Sequence, residues 1–138
     1  MKRFWFALMA LMVFSLAACS GVNNGLNSGS DSKGSYQNMS VRELQSMFEN
    51  KDFVFVNVHI PFEGDIPNTD LSIPYNEIEQ NLEKLPADKD AKIVLYCRSG
   101  NMSSIAGETL VALGYTNVSH LEGGFNAWEK AGLPLEGQ

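Results

Sequence analysis

The 138-residue chain carries 10 Lys and Arg against 16 Asp and Glu, a formal net charge of −6, with 44% hydrophobic and 19% charged residues. That length and balance suit one ordinary globular domain around a single core rather than a disordered chain. The acidic excess, without any stripe of Lys and Arg, argues against a partner read through its phosphates, so no nucleic acid is expected to bind.

Lys2 and Arg3 precede an apolar run from Phe4 to Ala18 that ends in Leu16-Ala17-Ala18-Cys19. A basic start, a short apolar stretch and small residues before a cleavage point form an export signal pattern. At about 1.5 Å per residue the run falls well short of the roughly 30 Å hydrocarbon core, which favours removal over permanent spanning. Leu16-Ala17-Ala18-Cys19 resembles the lipobox of bacterial lipoproteins. The resemblance implies that residues 1–18 are a signal peptide and that Cys19 becomes an acylated, palmitate-type N-terminus. Acyl chains contribute about 0.8 kcal/mol per buried CH₂, and stable anchoring takes more than one chain. Loss of Lys2 and Arg3 moves the formal charge from −6 to −8, so only the lipid is expected to touch an anionic membrane surface. The domain would then face the periplasm or the cell exterior. Lipidation consumes one of the two cysteines, leaving Cys97 as a free thiol in an oxidising compartment.

Ser20 to Gly34 is rich in Ser, Gly and Asn and reads as a flexible tether, spanning about 20 Å by the flexible-linker rule. The tether is taken to extend through residue 37, with the folded domain over 38–138. Ser40 and Glu43 form a capping box with Met39 and Leu44 at the staple positions, which predicts a helix over about 41–50. Phe53 to Val58 is an aromatic and β-branched run without polar alternation, as in a strand covered on both faces. His59 to Pro74 carries three prolines and no sustained period, and reads as a long irregular loop of functional type. Asn76 and Glu79 predict a second helix whose stripe is Ile78, Leu82 and Leu85, ended by Pro86. Lys92 to Tyr96 is a second buried strand, Ser103 to Leu113 a helix, Val118 to Leu121 a third strand, and Phe125 to Ala131 a last short helix. This alternation predicts an α/β fold, a mostly parallel sheet with helices on both faces.

Cys97 follows the second buried strand and precedes a helix, where open α/β sheets place their ligands. The free N–H groups of a first helical turn favour an anion held among them, so the site suits a thiolate open to small reagents. His59, after a strand end, reads either as a proton carrier near Cys97 or as an ordinary loop histidine. Arg98 reads either as a solvated side chain or as a contact for an anionic donor. His120 reads as structural, and Phe125 and Trp128 as core anchors. No residue cluster has metal-ligand spacing and no glycine fingerprint opens a helix, so no metal or bound cofactor is expected.

Cys97-Arg98-Ser99-Gly100-Asn101-Met102-Ser103 after an apolar strand resembles the active-site loop of the rhodanese family, and Leu121-Glu122-Gly123-Gly124-Phe125-Asn126-Ala127-Trp128 resembles its C-terminal signature. The resemblance implies a three-layer fold with a five-stranded parallel sheet. It implies that Cys97 takes a sulfane sulfur from a small donor as a persulfide and passes it to a thiol acceptor or redox protein. Residues 98–103 would form the loop around the transferred sulfur. Two departures bear on the donor. Many catalytic members carry an arginine where this chain has Met102, and their early strand often ends in aspartate and arginine where it has Asn57 and His59. Thiosulfate is therefore expected to be a poor donor, and a weakly catalytic docking module is the alternative reading. A cysteine phosphatase or arsenate reductase would need an arginine at Ser103.

Overall fold

The computed structural model describes residues 34–138. The leader 1–18, Cys19 and the tether through residue 33 lie outside the described residues. The strands are β1 (Gln37–Met39), β2 (Val54–Asn57), β3 (Leu71–Ser72), β4 (Ile93–Tyr96) and β5 (Val118–Leu121). The helices are α1 (Val41–Phe48), α2 (Asn101–Ala112) and α3 (Gly124–Lys130). All five strands pair in parallel in the order β1-β5-β4-β2-β3, so β4, which ends at the cysteine, runs through the middle of the sheet.

The absence of polar alternation in β2 and β4 follows from two covered faces. Val56, Ile93, Leu95 and Val118 pack with Ala106 and Leu110 of α2 on one side. Phe55, Val94, Tyr96 and Leu121 pack with Leu44 of α1 and Phe125 and Trp128 of α3 on the other. The result is the three-layer α/β architecture that the alternation predicts.

α1 begins as its capping box requires: the Ser40 amide donates to Glu43 Oε2 at 2.7 Å, and the Glu43 amide donates to Ser40 Oγ at 3.3 Å. The Ser40 hydroxyl, which donates to Glu43 Oε2 at 2.6 Å, and the Ser40 amide together hold the Glu43 carboxyl below its ordinary range. Leu44 is the residue of this helix that is fully buried.

Four sequence expectations need correction. Order begins before Asn38: Gln37 pairs with Ser119, and the Tyr36 ring meets His120 edge-on at 5.1 Å. A three-residue strand is too short to show a period, and it forms because β5 offers an edge. β3 lies in the stretch 59–74, where Leu71 and Ser72 pair with Val56 and Asn57; two residues are likewise too few for a pattern. The segment expected as a helix from Asn76 is two 3₁₀ turns, Tyr75–Glu77 and Glu79–Lys84, with Asn81 out of helical conformation at φ −123°. Asn81 Nδ2 donates to the Glu77 carbonyl at 2.8 Å, giving the backbone a local alternative to the helical ladder. α2, for its part, starts two residues before Ser103, because Gly100 at φ 98° turns the chain into it.

The 59–74 stretch is irregular but tied down. Asn57 Nδ2 donates to the Gly64 carbonyl at 3.0 Å and to Asp65 Oδ1 at 2.8 Å, while its Oδ1 accepts from the His59 amide at 3.0 Å. The Tyr96 hydroxyl accepts from the Ile66 amide and donates to Asp65 Oδ1, both at 3.0 Å. Burial pushes the Tyr96 phenol well above its ordinary range, so it stays protonated and able to donate.

The last turn is fixed by two glycines with positive φ, Gly123 at 74° and Gly124 at 54°. A Cβ on Gly124 would stand 2.0 Å from the Cys97 carbonyl oxygen, because the amides of Phe125 and Asn126 donate to the carbonyls of Cys97 and Arg98 at 2.9 and 3.0 Å. Gly132 shares the positive φ, at 80°, but has open space around its Cβ position. Gly124→Ala should therefore lower stability by about 3 kcal/mol or more in urea unfolding. Gly132→Ala should cost only about 1–2 kcal/mol, the price of the left-handed backbone alone. Equal midpoints for the two variants would contradict the close approach at Gly124.

Candidate active site

Cys97 lies one residue beyond β4 in the turn that leads into α2. The residue before α2 is Gly100, which has no side chain with which to cap the helix. Cys97 takes that place. Its Sγ accepts from the Gly100 amide at 3.1 Å and from the Ser103 amide at 3.4 Å, so amides left unpaired by the first turn are directed at sulfur. Their dipoles favour negative charge on that atom without supplying a proton.

The cysteine is 1% exposed, where the sequence led us to expect a sulfur open to reagents. The cause is packing: Cys97 is part of the α2-side core, and Met102 packs against the same cluster. Arg98 and Ser99 are exposed, whereas Gly100 and Ser103 are buried. Asn101 is exposed at the first position of α2.

Arg98 lies at the surface, paired with a carboxylate. Its side chain is 56% exposed, and Nη1 donates to Glu63 Oε1 and Oε2 at 3.0 and 3.3 Å. Glu63 also meets His59 Nε2. The carboxylate thus bridges Arg98 and His59 and offsets the guanidinium charge, although an exposed pair of this kind adds only about 0–1 kcal/mol to stability. His59 is 8% exposed and stacks edge-on to Phe125 at 5.4 Å. Its Nδ1 has no hydrogen-bond partner among the described residues, and it makes no hydrogen bond to Cys97.

The residue near the cysteine that the sequence suggested was structural is His120. It pairs in register with Leu95 on one side and with Asn38 on the other, so all three side chains point to the same face as α2. Ser103 Oγ lies 3.6 Å from Cys97 Sγ and 3.0 Å from His120 Nδ1, and His120 Nε2 lies 3.0 Å from Asn38 Oδ1. Burial lowers the pKa of His120, opposed by the charge of Glu122, which favours a neutral ring. The available signal was a histidine inside a strand otherwise fit for burial, on the strand following the cysteine helix. Among the described residues no group of three or more His, Cys, Asp or Glu side chains is placed to hold a metal ion.

Comparison with known proteins agrees with this geometry. The family model for the rhodanese-like domain matches residues 40–131. A sulfurtransferase of Allochromatium vinosum is 36% identical over 94 residues, which cover 66% of this chain and 85% of that protein. A rhodanese-like domain protein from Staphylococcus aureus superposes with a TM-score of 0.61 at 30% identity, covering 73% of this chain and 99% of the other. An NAD-dependent persulfide reductase from A. fulgidus gives 0.55 at 31% identity, over 67% of this chain but only 16% of that one. Matched over residues 40–131, a span that holds both signature loops, the chain belongs to the rhodanese-like domain family, whose general chemistry is sulfur transfer.

Proposed function

We propose that the domain carries sulfane sulfur as a persulfide on Cys97, and that it does so outside the cytoplasm, anchored to a bacterial membrane through lipid on Cys19. The observation that carries the chemical part is the pair of amides, Gly100 and Ser103, donating to Cys97 Sγ at the uncapped start of α2. A thiolate so held attacks the outer sulfur of a donor; a new S–S bond forms at Cys97 while the donor's S–S bond breaks and its electron pair leaves with the remaining fragment. The product is a larger, softer anion that the same N–H groups stabilise. With Cys97 only 1% exposed, reaction with a donor requires the turn of residues 98–100 to open from its resting position. The partners of this cycle are a small sulfur donor and a thiol or redox-protein acceptor, and no resident cofactor is required. The relationship to a sulfurtransferase and the likeness to part of a persulfide reductase support this chemistry.

A second reading, a weakly catalytic docking module, is favoured by a specific observation: the charge of Arg98 is already engaged by Glu63, and the position at which many relatives carry arginine holds Met102, packed into the core. Both features disfavour an anionic donor such as thiosulfate.

Exposed to a polysulfide, the protein should gain about 32 Da per transferred sulfur, a gain reversed by dithiothreitol and abolished in Cys97→Ser. Intact-mass spectrometry that finds no such gain with polysulfide or thiosulfate would defeat the carrier reading. In steady-state assays Met102→Arg should raise kcat/KM for thiosulfate by about tenfold, the effect of roughly 1.4 kcal/mol of added transition-state attraction. An unchanged value would show that the missing cation does not limit the reaction and would remove the main support for the docking reading. In bacteria expressing the full chain, labelled palmitate should enter the wild type and not Cys19→Ser, and the mature protein should lack residues 1–18. A label that persists in Cys19→Ser would overturn the anchoring site.

A further inference from the structure

The amide cradle accounts for how a sulfur anion is stabilised at Cys97, and it leaves the removal of the thiol proton without an agent. A polar row leads away from the sulfur, from buried Ser103 and His120 to Asn38 at the surface. Ser103 is fully buried and His120 is 6% exposed, and among the described residues their side chains bond one another, Cys97, Asn38 and the Gly100 carbonyl. Apolar side chains of similar size would fill the same space without the cost of desolvating a serine and a histidine, so stability alone is a poor reason for this row.

The direction of the row follows from its last member. Asn38 presents Oδ1, an acceptor only, to His120 Nε2, so Nε2 carries the ring proton and Nδ1 is the acceptor. Ser103 Oγ at 3.0 Å then donates to Nδ1, and its lone pair faces the Cys97 thiol at 3.6 Å. The Gly100 carbonyl, 3.1 Å from the same hydroxyl, is the resting alternative acceptor.

We propose that His120 takes the Cys97 proton through Ser103, so that His120 and Asn38 are positioning residues for the thiolate on which the persulfide reading rests. In this step the S–H bond of Cys97 breaks as a new O–H bond forms at Ser103, and the original Ser103 O–H breaks as N–H forms at His120 Nδ1. Ser103 is neutral before and after. The charges created are a thiolate at Cys97 and an imidazolium at His120, and no electrons change formal ownership between molecules. Asn38 Oδ1 keeps its bond from Nε2–H and steadies the imidazolium. When a thiophile later removes the outer sulfur, the departing Cys97 thiolate takes the proton back by the same path.

The groups facing His120 are few. Tyr36 presents a ring edge from the segment before β1, Asn38 comes from β1, Leu95 from β4 and Ser103 from α2, while the charge of Glu122 acts from just beyond β5. Burial keeps the ring neutral at neutral pH despite Glu122. The sign follows: the relay operates while His120 is neutral and is lost as falling pH protonates the ring, at a value below the ordinary histidine range.

The test follows alkylation of Cys97 by iodoacetamide in the full chain against pH, read on the Cys97 peptide so that Cys19 does not contribute. It needs no sulfur donor, so its outcome is separable from failure of the persulfide reading. We expect His120→Asn and Ser103→Ala each to slow alkylation at pH 7 by about tenfold or more, with rates converging on wild type at high pH, where the thiol ionises unaided. Ser103→Thr, which retains a hydroxyl, should keep the wild-type profile, and the double variant should be no slower than either single one. A change in loop opening alone would scale the whole curve, so uniform scaling, or profiles that superimpose on wild type, would overturn the proposal. A second measurement uses the unaltered protein. Nitrogen-15 NMR should find the neutral His120 proton on Nε2, and blocking Cys97 with iodoacetamide should move the His120 titration midpoint. A proton on Nδ1, or a midpoint indifferent to the block, would overturn it equally.

Discussion

The site depends on one substitution of roles: a sulfur atom does the work of a helix cap. Because Gly100 offers no side chain, the first turn of α2 would leave its amides unpaired in a buried place, at a cost of about 1–3 kcal/mol for each unsatisfied group. Cys97 Sγ satisfies two of them. Folding and chemistry thus draw on the same bonds, since the arrangement that completes the helix also makes the sulfur a favourable seat for negative charge. The carbonyls of Cys97 and Arg98 are held from the other side by the amides that open α3. The loop is fixed between two helix beginnings, and Gly124 is needed because the approach leaves no room for a Cβ.

This arrangement needs a sheet with both faces covered. β4 lies between β5 and β2, its alternate residues buried under α2 on one side and under α1 and α3 on the other. Parallel register then aligns side chains from distant strands in a row, and the row Asn38, His120, Leu95 runs toward the cysteine on the α2 face. On the opposite face Tyr96 reaches Asp65 and Ile66 and pins the loop that follows β2. The same β4 therefore anchors the sulfur loop at its end and the neighbouring 59–74 loop through the residue just before it.

Positive charge around this site is largely compensated. The nearest cation, Arg98, shares Glu63 with His59, so the carboxylate offsets positive charge at the mouth of the loop. Met102 contributes packing and no charge. What remains near the sulfur is neutral and dipolar: two amides, a serine hydroxyl and an uncharged imidazole. Such surroundings accord with sulfur transfer as the general chemistry of the family.

The sequence by itself determined the α/β alternation, the two doubly covered strands, the capping box of α1 and the loop that carries Cys97. Each of these is a pattern among neighbours within about ten residues, where propensity and hydrophobic period act directly. Only the tertiary structure decided the burial of Cys97, the engagement of Arg98 by Glu63, and the short strands β1 and β3. It also replaced the helix expected from Asn76 with two 3₁₀ turns, a competition between Asn81 and the backbone that no periodicity reveals. His120 is the clearest case: its partner Asn38 is 82 residues away in the chain. A histidine in a short strand has no local mark of its role, because that role comes from parallel register, and register is fixed by the pairing of segments that the sequence keeps far apart.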